Sequence, residues 1–121
     1  RFKISAIIIS NTTDKNRENL TGVNKNEMGG LSGSPLSEIS NNLIKKFYRE
    51  TKGDIIIIGV GGISSGIAAY EKIKSGANLL QLYTGMVYEG PGIVKKIKGE
   101  LINILKKEKI KNVSEIVGTG S

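Results

Sequence analysis

The sequence predicts an α/β fold with a parallel sheet, on three observations. Short, mainly apolar runs lie at residues 4–9, 55–58 and 78–83, and the uninterrupted β-branched run at 55–58 suits a strand buried on both faces. A segment with apolar residues at helical spacing follows each run, and strand–helix alternation is the pattern of parallel sheets. Each run ends in polar or glycine-rich residues: Ser10-Asn11-Thr12-Thr13, Val60-Gly61-Gly62 and Tyr83-Thr84-Gly85. Ligands of parallel α/β folds bind at the carboxyl ends of strands, so the three exits are expected to line one site.

Taken in order, the first strand runs to Ile9 and stops in residues able to hydrogen-bond a ligand. Asp14 to Glu27 is polar and without periodicity, and reads as a long excursion or flexible loop; loops of this length are commonly functional or disordered. Three glycines in Gly29-Gly30-Leu31-Ser32-Gly33 signal a turn, and Pro35 suits a first helical turn. From Leu36, apolar residues at Ile39, Leu43, Ile44, Phe47 and Tyr48 mark one helical face. Gly53 closes that helix.

The stretch Asp54–Gly66, DIIIIGVGGISSG, is the centre of the chain. Its isoleucines form the second strand, and its glycines permit positive φ and close backbone approach. Ser64 or Ser65 is placed to cap the next helix. Strand, glycine turn and helix start together predict an anion site, with phosphate as the anion. The helix is expected to reach about Ser75, with Gly76 as its C′ residue. Ile67, Ala68 and Ile73 are read as its buried side, with Glu71 and Lys72 facing water. A third strand over 78–83 leads through Gly90-Pro91-Gly92 to an amphipathic helix carrying Ile93, Val94, Ile97, Leu101, Ile104 and Leu105, which Gly99 weakens slightly. Glu71 and Glu100 read as surface charges. The tail from Asn112 to Ser121 is small and polar, and partial disorder is expected at its end.

Composition narrows the chemistry. The 121 residues include no Cys and no His, which removes thiolate chemistry, zinc–thiolate sites and the commonest general acid/base and metal ligand. No metal site is expected. A net charge of +7 raises the question of a nucleic-acid partner, but only 5% of residues are aromatic and Trp is absent. A stacking platform for bases is poorly supported, and the lysines read as a solvated surface. No run approaches the roughly 18 apolar residues of a membrane span, and the chain shows no targeting segment.

Five motifs in order carry a family resemblance: NTT after the first strand, GGLSG-P-L, IIGVGGI-S-G, EKI-GA and QLYTG. Together they resemble the carboxyl-terminal part of dihydroorotate dehydrogenase, and GPGIVKKIKGEL with VSEIVG resembles the membrane-associated, quinone-linked class 2 branch. The resemblance covers nearly the whole chain. It implies that residues 1–121 are a partial FMN-binding domain, supplying units six to eight of a (β/α)8 barrel. It also implies FMN as cofactor, dihydroorotate and orotate as substrate and product, a quinone as electron acceptor, and pyrimidine biosynthesis as the pathway. Membrane association follows from the same resemblance, at the mitochondrial inner membrane in a eukaryote or the cytoplasmic membrane in a bacterium.

Residue by residue, Asn11 and Thr12 match the pair that hydrogen-bonds the pyrimidine. Ser10 takes the position before them against the flavin, where many relatives have Thr. Gly33 matches a glycine touching FMN, with Ser32 beside it. Gly61 and Gly62 match the FMN phosphate loop, and Tyr83 and Thr84 its second half. No residue here matches the catalytic base, a Ser expected upstream along with the quinone tunnel and the rest of the barrel. The chain alone is therefore expected to be inactive. Two alternatives stay open: another FMN-dependent barrel oxidoreductase, such as a tRNA dihydrouridine synthase or a glutamate synthase-like protein, or a non-catalytic basic binding domain.

Overall fold

The structure is a computed structural model that describes residues 3–15 and 17–121. Three parallel strands form its sheet: β1 (Ala6–Ile9), β2 (Ile56–Val60) and β3 (Leu79–Gln81), in the spatial order β1-β2-β3. Four helices follow them: α1 (Ser37–Thr51) and α2 (Gly66–Lys74) make the crossovers, and α3 (Thr84–Glu89) and α4 (Ile93–Lys107) come after β3. Short 3-10 turns at Ser34–Leu36 and Val113–Ile116 complete the elements. The three predicted strands and three predicted helices are all present; α3 was not anticipated.

The register pairs Ile7 with Ile57, Ile58 with Leu79, and Gly59 with Leu80. Paired residues point to the same side of a sheet, so Ile7, Ile9, Ile57 and Leu80 share one face. That face is covered. Ile9, Ile44, Ile57 and Ala77 form one buried cluster with Phe47 and Tyr48 of α1 against it. Leu80 also meets clusters built by α2 and α4, around Ala69, Ile93 and Ile97 and around Tyr70, Ile73 and Ile116. Parallel crossovers share one hand, so a sheet whose strand order never reverses collects its crossover helices on one side.

The opposite face corrects the expectation of strands buried on both sides. Ile8, Ile56 and Leu79 lie 58%, 47% and 57% exposed, because among the described residues no element packs there. The four isoleucines of 55–58 thus divide between a helix-covered side and an apolar side left open.

The α2 expectation also needs correction. Its buried residues are Gly66, Ala69, Tyr70, Lys72 and Ile73, while Ile67 is exposed. The positions 66, 69, 70 and 73 follow the helical repeat; Ile73 is buried as expected, Ala68 is half-buried, and Ile67 lies off that stripe. Gly66 allows α4 to approach closely: a Cβ there would lie 2.7 Å from the Leu101 backbone nitrogen. Lys72 does not face water; it is fully buried. Gly59 and Ala77 leave a slot for its stem, and its ammonium donates to Ser40 Oγ at 3.0 Å and Asn41 Oδ1 at 2.7 Å.

The tail is ordered, contrary to expectation. Asn112 and Glu115 form a reciprocal capping box over the last 3-10 turn, and Ile116 is buried beside Tyr70 and Ile73. Gly118 and Gly120 then donate their amides to the Ile73 and Lys74 carbonyls at 3.2 and 2.9 Å. Carbonyls at the end of a helix lack intrahelical partners; the tail satisfies that of Lys74 and adds a second donor to that of Ile73, which also accepts from the Gly76 amide at 2.9 Å. The 14–27 excursion contains no helix or strand among its described residues. Thr13 and Leu31 bridge its base, and Arg17 donates to the carbonyls of Lys25, Glu27 and Gly29.

Two outcomes follow from this packing. With β1 and β3 unpaired on their outer edges among the described residues and one face apolar, the isolated 121-residue chain should self-associate. Light scattering after size-exclusion chromatography checks this; a monomer melting in one cooperative step would contradict it. The second concerns pH. Burial lowers the Lys72 pKa from 10.5 to about 8, so between these values the unfolded chain binds more protons than the folded one. Stability should therefore rise with pH across that window. Tyr70 opposes this from about pH 10 upward, because its bond to Glu108, followed by burial, raises its hydroxyl from 10.0 to about 12. Urea titrations of the full-length protein should show the rise from pH 8 to 10, and Lys72→Met should abolish it.

Candidate functional site

A cleft of about 870 Å³ opens at the carboxyl ends of the strands. All nine residues singled out in the sequence line it: Ser10, Asn11 and Thr12 after β1, Ser32 and Gly33 before α1, Gly61 and Gly62 after β2, and Tyr83 and Thr84 after β3. The parallel register brings them together, since strands aligned in one direction end at one edge. The volume falls within the range of about 300–1,000 Å³ usual for small-molecule sites.

Each exit is held by identifiable contacts. The Thr12 amide donates to Asn11 Oδ1 at 2.8 Å, which leaves the Asn11 amide NH2 as its donor toward a ligand. Thr84 Oγ1 donates to Ser32 Oγ at 2.9 Å, tying the β3 exit to the GGLSG loop. Gly33 has φ +83°, and a Cβ there would lie 3.2 Å from Thr84 Cγ2. Leu36, Ile63 and Leu82 add an apolar wall; the sequence pattern assigned the first two to a helix and a turn without indicating that they reach the cleft.

The glycine turn has a packing reason of its own. Gly61 and Gly62 have φ of +103° and +71°, a region L side chains rarely adopt. A Cβ on Gly62 would also stand 2.6 Å from the Ser37 Cα, inside the first turn of α1. The turn is pressed onto α1, so the need for glycine here arises before any ligand is considered.

The start of α2 contributes less than expected. Ser65, not Ser64, is the N-cap, its hydroxyl accepting from the Ala68 amide at 3.2 Å. Glu100 Oε2 accepts from the Gly66 amide at 2.5 Å. Glu100 is therefore half-buried and bonded, not the surface charge expected, and a protein carboxylate occupies the place where an external anion would meet this helix. Ser64 does line the cleft. Among the described residues the cleft lining includes no Lys or Arg, and its charged side chain is Glu89, which pairs with Lys96 at 2.7 Å. The polar groups the described lining offers are otherwise amides and hydroxyls.

With that geometry in hand, the chain can be set beside known proteins. The family model for dihydroorotate dehydrogenase matches residues 1–105. The dihydroorotate dehydrogenase (quinone) of Trichodesmium erythraeum (strain IMS101) is 48% identical over 125 residues, which cover 97% of this chain and 33% of that protein. The mitochondrial dihydroorotate dehydrogenase (quinone) of Mus musculus is 45% identical over 115 residues, covering 95% of this chain and 29% of the other. A crystal structure of the Eimeria tenella enzyme in complex with ferulenol superposes with a TM-score of 0.92 at 40% identity, over 96% of this chain and 31% of that one. The chain spans about a third of the length of these relatives. No helix among the described residues is long and apolar enough to cross a membrane.

The contact of Gly62 with Ser37 yields a prediction independent of any ligand. Gly62→Ala should lower the melting temperature of the full-length protein freed of small molecules, because both φ and the Ser37 backbone oppose a Cβ. An unchanged ligand-free melting temperature would contradict this.

Proposed function

The chain belongs to the dihydroorotate dehydrogenase family, and from that premise we propose that the protein containing it oxidises (S)-dihydroorotate to orotate, with FMN as cofactor and a quinone as final acceptor, in pyrimidine biosynthesis. The observation that carries the reading is the convergence of Asn11-Thr12, Ser32-Gly33, Gly61-Gly62 and Tyr83-Thr84 on one cleft. In this reading, residues 1–121 are units six to eight of a (β/α)8 barrel. The open face bearing Ile8, Ile56 and Leu79 then packs against side chains from the other strands in the barrel interior.

The residues present fit FMN. The cleft is large enough, its lining alternates apolar wall with neutral donors, and its glycine turn exposes backbone where a phosphate can approach. When bound, the flavin supplies the hydride acceptor. Gly61, Gly62, Tyr83 and Thr84 hold its phosphate, while Ser10, Ser32 and Gly33 lie against the ring-bearing part. Asn11 and Thr12 hydrogen-bond the planar pyrimidine, Asn11 through the NH2 that its own loop leaves free. They orient the substrate; the proton-abstracting Ser belongs to the upstream part of the protein. Quinone access and membrane association are likewise assigned to that part.

The full-length protein should purify with a flavin spectrum and reduce a quinone only when dihydroorotate is supplied. Asn11→Ala should lower kcat/KM for dihydroorotate by about tenfold or more, the effect of a lost hydrogen bond to a buried polar ligand, and leave flavin content unchanged. A colourless wild-type protein without dihydroorotate-dependent turnover would overturn the assignment.

A further inference from the structure

Among the described residues no cation lines the cleft, yet a buried one is linked to its glycine turn through Ser40. We propose that Lys72 is a positioning residue for the phosphate of the bound cofactor, fixing the Val60–Gly61 peptide through Ser40 and lending the turn a positive charge. This rests on the FMN reading above.

The geometry is a chain of contacts leading from helix to turn. The Lys72 stem passes under β2, where a Cβ on Gly59 would lie 2.9 Å from its Cγ and Cδ. Its ammonium donates to Ser40 Oγ and Asn41 Oδ1. Ser40, also fully buried, donates to the Val60 carbonyl at 2.6 Å. A hydroxyl has one proton, and Ser40 directs it to Val60; toward the ammonium it can only accept. The direction of the relay is thus set. In a trans peptide the carbonyl and the next N–H point in opposite directions, so holding the Val60 carbonyl also fixes the Gly61 N–H at the entrance to the turn.

The charge is the second half of the inference. Among the described residues no carboxylate lies within ion-pair distance of Lys72, and its two partners are neutral. Burying a cation without a counter-charge is costly, and an apolar side chain in the same slot would pack without that cost. A dianionic phosphate held at Gly61–Gly62 supplies the missing charge from the other side of the turn. Because the ammonium is fixed in place before the ligand arrives, no reorganisation is needed on binding.

The test compares FMN with riboflavin, which carries the same ring but no phosphate, on the full-length protein stripped of flavin. Fluorescence titration of Lys72→Met should show FMN affinity reduced by about tenfold, the scale of one lost charge-assisted interaction. Riboflavin affinity should stay within about twofold of wild type. Ser40→Ala, which keeps the cation but cuts the relay, should shift the FMN-to-riboflavin ratio in the same direction. A purely structural role predicts equal losses for both flavins, or none, and either result overturns the proposal. If Lys72→Met does not fold, an unchanged ratio in Ser40→Ala overturns it alone. A wild-type protein that holds neither flavin defeats the functional reading itself, an outcome readily told apart from the others.

Discussion

The handedness of parallel crossovers is the constraint on which the molecule depends. Given strand order β1-β2-β3 without reversal, one hand of crossover places α1 and α2 on the same side of the sheet. Because the crossovers keep the strands parallel, their carboxyl ends lie at one edge, and the exits after Ile9, Val60 and Gln81 meet there. The same constraint leaves Ile8, Ile56 and Leu79 on an uncovered face. The convergent site and the exposed apolar face are two consequences of one topology.

The site is shaped from behind, by packing that would exist without a ligand. Gly62 sits against Ser37, Gly59 makes room for the Lys72 stem, and Gly66 lets α4 close on α2. Glycine in this chain is at least as much a device for close approach of helices and strands as for approach of a cofactor. That matters when variants are read: a substitution at Gly62 perturbs the α1 contact whatever it does to a phosphate. A substitution at Asn11 removes one exposed side-chain bond to the Thr12 amide and no packed contact of this kind, so it disturbs the fold less.

Strand positions, the three long helices and the meeting of the three strand exits were legible from local signals, namely apolar runs, helical spacing and turn residues at a strand exit, whereas Ser32 and Gly33, which follow no strand, were singled out by the family motif. What was not legible depends on contacts between distant segments. Lys72 was read as exposed because lysine usually is, and nothing local to α2 reveals the slot made by Gly59 and Ala77. Glu100 lies 34 residues from the Gly66 amide that it caps. The tail was read from composition alone, while its order comes from two carbonyls at the end of α2. The helix α3 is only six residues long, too short for periodicity to register.

The hydroxyls in and behind the cleft are largely engaged in holding the backbone and one another. A serine becomes a nucleophile or base only when another group takes its proton. Ser65 caps α2, Ser40 donates to Val60, and Ser32 accepts from Thr84. The carboxylate on the cleft wall, Glu89, is held by Lys96, and the sequence offers no His. Ser32 and Thr84, which line the cleft, are thus bonded to each other and not to a carboxylate. What remains at Gly61–Gly62, Asn11–Thr12 and Thr84 is a set of donors and acceptors fixed by the backbone around one cleft.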